Sequence, residues 1–238
     1  MKQKNCMEGV FHKMRTSKSV EMKGLMKSKS DTKMSCAIAL TTKEEIYITA
    51  DRKIEDDNCS SDDYYQRIAV ISGTNIAVAT TGCHPINGTK IEKMIKEVES
   101  NNFYDIARDL DSWIRYSIKS MDYSEDWHIH FDIFQCVRVY NVIQNNVCRL
   151  SSSNAGTSID IQYNVDPFQF FSQGTAWSTG LVSGILYDDI SKEKPDAYLR
   201  NIMKSVTVFS EMFTKKNPIE EGMLLLRLTP ERYVWICN

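Results

Sequence analysis

The sequence predicts an α+β fold: two antiparallel sheets facing each other, with helix pairs covering them on the outside, a four-layer αββα sandwich. Three observations lead there. Strand-like runs come in pairs separated by short polar turns. The first pair is apolar on both faces, so both faces need a cover. Helical periodicity breaks in at two places, and the order becomes four strands, two helices, three strands, two helices and two strands.

Taken in order, "SCAIALTT" from Ser35 and "EIYITAD" ending at Asp51 form the first hairpin. Residues 52–66 form a polar, acidic loop. "RIAVIS" and "NIAVATT" make a second hairpin around Gly73 and Asn75. Ile91, Met94, Ile95 and Val98 recur at helical spacing, as do Ile106, Leu110, Trp113, Ile114 and Ile118 on the next segment. These stripes are core faces of two amphipathic helices. Strands return in "HIHFDIFQCVRVYNV", "NNVCRLSS" and "SIDIQYNV". A helix is expected over Trp177–Tyr187. A longer one starts near Asp196, with Leu199, Ile202, Met203, Val206 and Phe209 on one face. "GMLLLRLT" and "RYVWIC" close the chain as a hairpin.

The chain has 238 residues, long enough for a sizeable core. Its 42% hydrophobic and 25% charged content is that of an ordinary globular protein. No apolar run is long enough to span a bilayer, and the basic N-terminus lacks the apolar core of a secretory signal. Seven cysteines, an odd number without a CxxC pair, predict a reducing, cytoplasmic setting and no disulfide framework. The net charge of −2 conceals a basic extension on an acidic body. Residues 1–34 carry nine Lys and Arg against three acids, and the remainder carries twenty against twenty-eight. With one aromatic, Phe11, and no groove-reading motif, the extension gives no reason to expect nucleic acid as a partner. Residues 1–34 are therefore expected to be a poorly ordered extension or a propeptide, and residues 35–238 the folded domain.

A hydroxyl residue, Ser35, opens the first strand. Asp51 follows sixteen residues later in "TAD", and Arg67 a further sixteen residues on, opening the third strand. Together with the two hairpins and the helix pair behind them, this layout resembles the N-terminal-nucleophile hydrolases. Within them it is similar to the proteasome β-subunits and their bacterial proteasome-like relatives. In that family a Thr opens the mature chain, an Asp follows at the first interval and a Lys at the second. The resemblance runs through residues 35–238 in element order and is most specific over residues 35–82.

The resemblance implies a peptidase. Ser35 would be the nucleophile and, once residues 1–34 are cut away, its own α-amino group would be the base. That amine ordinarily titrates at about 7.7–8.0, near working pH. Asp51 would orient the cation at position 67, and Gly82 in "ATTGCH" would offer an oxyanion N–H. Peptides or unfolded proteins would be the substrates, rings of subunits the assembly, and an ATPase unfoldase the feeding partner. No cofactor is implied. Four departures stand out. Arg67 replaces Lys, and an arginine stays charged, so it can place positive charge but cannot relay a proton. Met34 replaces the glycine usual before the cut. The family's late Asp-x-x-Ser-Gly corresponds to "NPIEEGM", with Asn217 and Glu220. Its Ser-Gly motif corresponds to "SQGTAWSTG", with Ser172 or Ser178. These departures keep two alternatives open: a catalytically silent subunit with the same fold, and an amidase of the wider superfamily.

Three further features are weighed beside that reading. Cys36 is the other candidate nucleophile, but its side chain alternates to the face opposite that of Ser35 and is expected in the core. His128 and His130 point the same way along a strand and could take a metal, though no third ligand is close in sequence. His84 lies near the expected oxyanion turn. The "GTK" at 88–90 lacks the preceding glycine spacing of a phosphate loop.

Overall fold

The computed structural model describes residues 36–51, 67–174, 194–214 and 224–236. The expected N-terminal extension, the acidic loop 52–66 and the expected helix over Trp177–Tyr187 lie outside these residues.

Ten strands and three helices are described, in two antiparallel five-stranded sheets. The first sheet contains β1 (Cys36–Thr41), β2 (Ile46–Ala50), β8 (Phe170–Gly174), β9 (Leu224–Leu228) and β10 (Tyr233–Trp235), in the order β10-β9-β2-β1-β8. The second contains β3 (Ile68–Val70), β4 (Ile76–Cys83), β5 (His128–Val139), β6 (Val142–Ser153) and β7 (Gly156–Gln162), in sequence order. Helices α1 (Gly88–Glu97) and α2 (Phe103–Ser120) separate β4 from β5, and α3 (Pro195–Thr214) precedes β9.

Alternation along each strand sorts the core into three clusters. Ile76, Val78, Phe131 and Ile133 of the second sheet pack with Ile91 and Ile95 of α1 and with Ile106, Leu110 and Ile114 of α2. The other face of that sheet meets the first sheet: Ala77, Ala79, Phe134 and Val147 cluster with Ala37, Ala39, Ile46 and Ile48. Phe134 and Phe171 bridge the two sheets edge to face, with ring centroids 6.2 Å apart. Cys36, Ile38, Leu40 and Tyr47, on the far face of the first sheet, carry Leu199, Ile202, Met203 and Val206 of α3. Every residue of β1 and β2 is buried, as two covered faces require. The helix starts are capped: the Asn87 side chain accepts the Thr89 N–H, and Asn102 accepts those of Tyr104 and Asp105.

Two features differ from the expectation. No strand was expected between "SIDIQYNV" and the helices after it, yet β8 pairs with β1 along Cys36–Leu40. It is five residues long and carries only two apolar side chains before Ser-Gln-Gly, too few for a periodic signal. The run ending "VYNV" is also a strand plus its turn. Tyr140 and Asn141 have φ of 47° and 66°, and Val139 pairs with Val142, so these two residues form the tight loop between β5 and β6.

Truncating a ring in the inter-sheet cluster leaves a cavity that packed neighbours cannot close. Phe134→Ala is expected to cost about 3–5 kcal/mol in urea unfolding. Val142→Ala, on an exposed strand end, should stay within about 0.5 kcal/mol.

Candidate active site

The register of the first hairpin sets Ala37 opposite Ala50, which brings the start of β1 beside Asp51. The Asp51 N–H donates to the Cys36 carbonyl at 3.1 Å, and the Cys36 N–H donates to Asp51 Oδ1 at 2.7 Å. The other carboxylate oxygen, Oδ2, accepts Arg67 Nε at 3.1 Å. Asp51 is 1% exposed and Arg67 6%. One buried carboxylate thus links the edge of β2 to the residue that opens β3, in the other sheet. Burial pushes the Asp51 carboxyl up from its ordinary range, while the Arg67 guanidinium and the Cys36 N–H pull it back down.

Arg67 is held at its backbone as well, since its carbonyl accepts the Thr80 N–H at 2.8 Å. Gly82 follows two residues along β4, opposite Ile129. There a glycine has a packing reason of its own. Its φ is +138°, and a Cβ would lie 2.4 Å from the His128 carbonyl oxygen. Asp51, Arg67 and Gly82 therefore gather at one end of the two sheets. Ser35 lies outside the described residues; Cys36 N, which Asp51 holds, is the peptide nitrogen that joins the chain to it. Met34, Ser178, Asn217 and Glu220 also lie outside. Ser172 sits on β8 opposite Ile38, three pairs' remove from position 35 along β1. Cys36 is buried against α3, as alternation predicts.

The inter-sheet space is apolar along most of its length but polar at this end. Asp132 on β5, 2% exposed, accepts Arg149 Nε at 3.1 Å and Gln173 Nε2 at 2.5 Å, both at Oδ1. Thr81 Oγ1 donates to Gln173 Oε1 at 3.3 Å, and Arg149 Nη2 donates to the Ser172 carbonyl at 3.1 Å. A cleft of about 330 Å³ opens beside these groups, walled by His130, Arg149, Ser151, Ser158 and Gly174. Gly174 pairs with Cys36, so the cleft flanks the start of β1. Thr81, Asp132, Arg149 and Gln173 were not singled out from the sequence, whereas Ser172 and His130 beside them were. The available signal was a charge, Asp132, set between Phe131 and Ile133 in a strand with apolar neighbours on both sides.

Burial raises the Asp132 carboxyl to about 6, with Arg149 and Gln173 pulling against it. His128 and His130 lie with ring centroids 5.6 Å apart, and burial lowers both, which favours the neutral rings at neutral pH. Among the described residues no group of three or more His, Cys, Asp or Glu could hold a metal. Burial pushes the Cys136 and Cys148 thiols up to about 12, which leaves them as core residues rather than nucleophiles. No protein-family model matches the chain, and no curated protein matches it.

Two outcomes follow from this geometry. Gly82→Ala should destabilise by at least about 2 kcal/mol in denaturant unfolding, because both φ and the approach of His128 exclude a side chain. The second concerns pH. The folded chain holds the Asp132 proton more tightly than an unfolded carboxyl, which titrates at about 3.9. That group therefore favours folding below about pH 4, and its contribution is lost as pH rises to about 6. Asp132→Asn cannot titrate, so unfolding midpoints measured across this window should fall more with rising pH in the parent than in the variant.

Proposed function

We propose that the chain is a proteasome-type peptidase subunit, built as the four-layer αββα sandwich of the N-terminal-nucleophile hydrolases and working from Ser35 once residues 1–34 are removed. The observation that carries this reading is the buried Asp51 carboxylate. It is shared between the first N–H of β1 and the Arg67 guanidinium, at the point where the chain joins residue 35. The three core clusters, which separate helices, sheet, sheet and helix, fit the same architecture.

The chemistry follows from the partners. Cleavage of the Met34–Ser35 bond frees an α-amine that takes the Ser35 hydroxyl proton as the oxygen attacks a peptide carbonyl. The Arg67 charge, aimed by Asp51, lowers the cost of the developing oxyanion, and backbone N–H groups near Gly82 add to it. The amine then passes the proton to the departing peptide nitrogen, leaving an acyl-enzyme. Water, deprotonated by the same amine, releases the acid product. Peptides or unfolded chains are the substrates, and ring assembly with an ATPase unfoldase is the proposed setting.

A second reading, a catalytically silent subunit of the same fold, is favoured by the arginine itself. A guanidinium supplies charge but does not exchange protons near neutrality. In that case the Asp51–Arg67 pair only ties two strand ends.

The two readings separate on a chain prepared to begin at Ser35. An electrophilic peptide inhibitor should label it covalently at residue 35 by mass spectrometry, and Ser35→Ala should abolish labelling and turnover together. Arg67→Lys should keep or raise turnover, whereas Arg67→Ala should lower it by about 10²–10³-fold. Labelling that survives Ser35→Ala, or peptidase activity with residues 1–34 wholly attached, removes Ser35 as the nucleophile. Folded protein that never labels leaves the silent reading.

A further inference from the structure

We propose that Asp132, with Arg149 and Gln173, is a positioning latch that sets the separation of the two sheets at the site end, and so places β8 at the start of β1 and β4 at Gly82. The catalytic part of this rests on the peptidase reading; the structural part does not.

The latch crosses the sheets. Gln173 and Ser172 belong to β8 in the first sheet, and Thr81, Asp132 and Arg149 to β4, β5 and β6 in the second. One carboxylate oxygen gathers Arg149 and Gln173, Gln173 passes the link to Thr81, and Arg149 reaches the Ser172 carbonyl. On the β8 side, Gln173 pairs with Ala37 and Gly174 with Cys36. On the β4 side, Thr81 immediately precedes Gly82. Strand β8, which pairs with the start of β1, and strand β4 at Thr81 are thereby tied to a single buried group. The Asp51–Arg67 pair ties β2 to β3 independently.

Adhesion alone does not account for this. Phe134, Phe171 and the facing alanines already hold the sheets together by apolar contact. The Asp132–Arg149 pair, with the carboxylate enclosed but the arginine side chain 39% exposed, adds little adhesion that a well-packed apolar group would not. Hydrogen bonds are directional, whereas apolar contact tolerates small slips. Proton transfer and oxyanion binding tolerate displacements of well under about 1 Å. The expected product of the latch is therefore geometry. Arg149 is opposed across β6–β7 by Asp160, and His130 stands beside Asp132 on β5. These are the other charged or titratable side chains lining the cleft.

The test uses the full chain and three variants, Asp132→Ala, Gln173→Ala and Asp132→Asn, with amide hydrogen exchange read by peptide. If the latch acts as described, Asp132→Ala and Gln173→Ala each speed exchange by about tenfold in peptides covering 36–38, 80–82 and 172–174, and leave 224–235 unchanged. Asp132→Asn keeps an acceptor for Gln173 and should recover most of the protection. In the chain beginning at Ser35, the maximal rate of inhibitor labelling should fall by about 10–100-fold in the two alanine variants, with inhibitor affinity unchanged, and return in Asp132→Asn. Unchanged exchange at those peptides, or faster exchange throughout both sheets, overturns the latch. Localised loss of protection with an unchanged labelling rate overturns its positioning role. Should Asp132→Ala not fold, Gln173→Ala removes one neutral partner and decides alone. Should the parent never label, the peptidase reading falls, and exchange still decides the latch.

Discussion

A carboxylate taken out of water between two sheets needs partners for both oxygens, and Asp51 finds them in two parts of the chain. The Cys36 N–H comes from the strand that begins the domain, and the Arg67 Nε from the residue that opens the second sheet. Removing either partner would leave a buried charge incompletely met, so the first strand, the second and the third are bound to one arrangement. The register of β1 against β2, the seat of β3 on β4 through the Arg67 carbonyl, and the approach of the two sheets all meet at this group.

Around that point the molecule divides its interior by chemistry. Along most of its length the inter-sheet space holds alanines, isoleucines and two facing phenylalanines. Toward the Asp51 end it changes to Thr81, Asp132, Arg149 and Gln173, and opens into a cleft. A dry, apolar stretch provides cohesion, and a polar end with directional bonds provides placement. That separation suits the proposed active site, which would have to be both rigid and open to solvent.

Much of the frame was legible because it rests on periodicity. Ile91 and Ile95 on α1, the buried stripe of α2 and the doubly covered first hairpin each carry their own signal over several turns or pairs. β8 was not legible. It is short, has only Phe170 and Phe171 as apolar residues, and is a strand because β1 offers it an open edge. The Tyr140–Asn141 turn was hidden for a related reason, since an aromatic and an asparagine inside a β-rich run read as more strand until both adopt positive φ.

For the site the division is similar. The sequence by itself determined which residue types stand at even intervals along the chain, Ser35, Asp51 and Arg67, and that each of them would end or open a strand. Only the tertiary structure decided that Asp51 and Arg67 touch, with Cys36 N–H completing the carboxylate, because that contact depends on how two sheets stack. The same holds for Gly82, whose need for a bare Cα comes from a carbonyl 46 positions away in sequence, at His128. It holds most strongly for Asp132, Arg149 and Gln173. Each is an ordinary polar residue in its own strand, and their pairing across the sheets is a property of packing that no local pattern encodes.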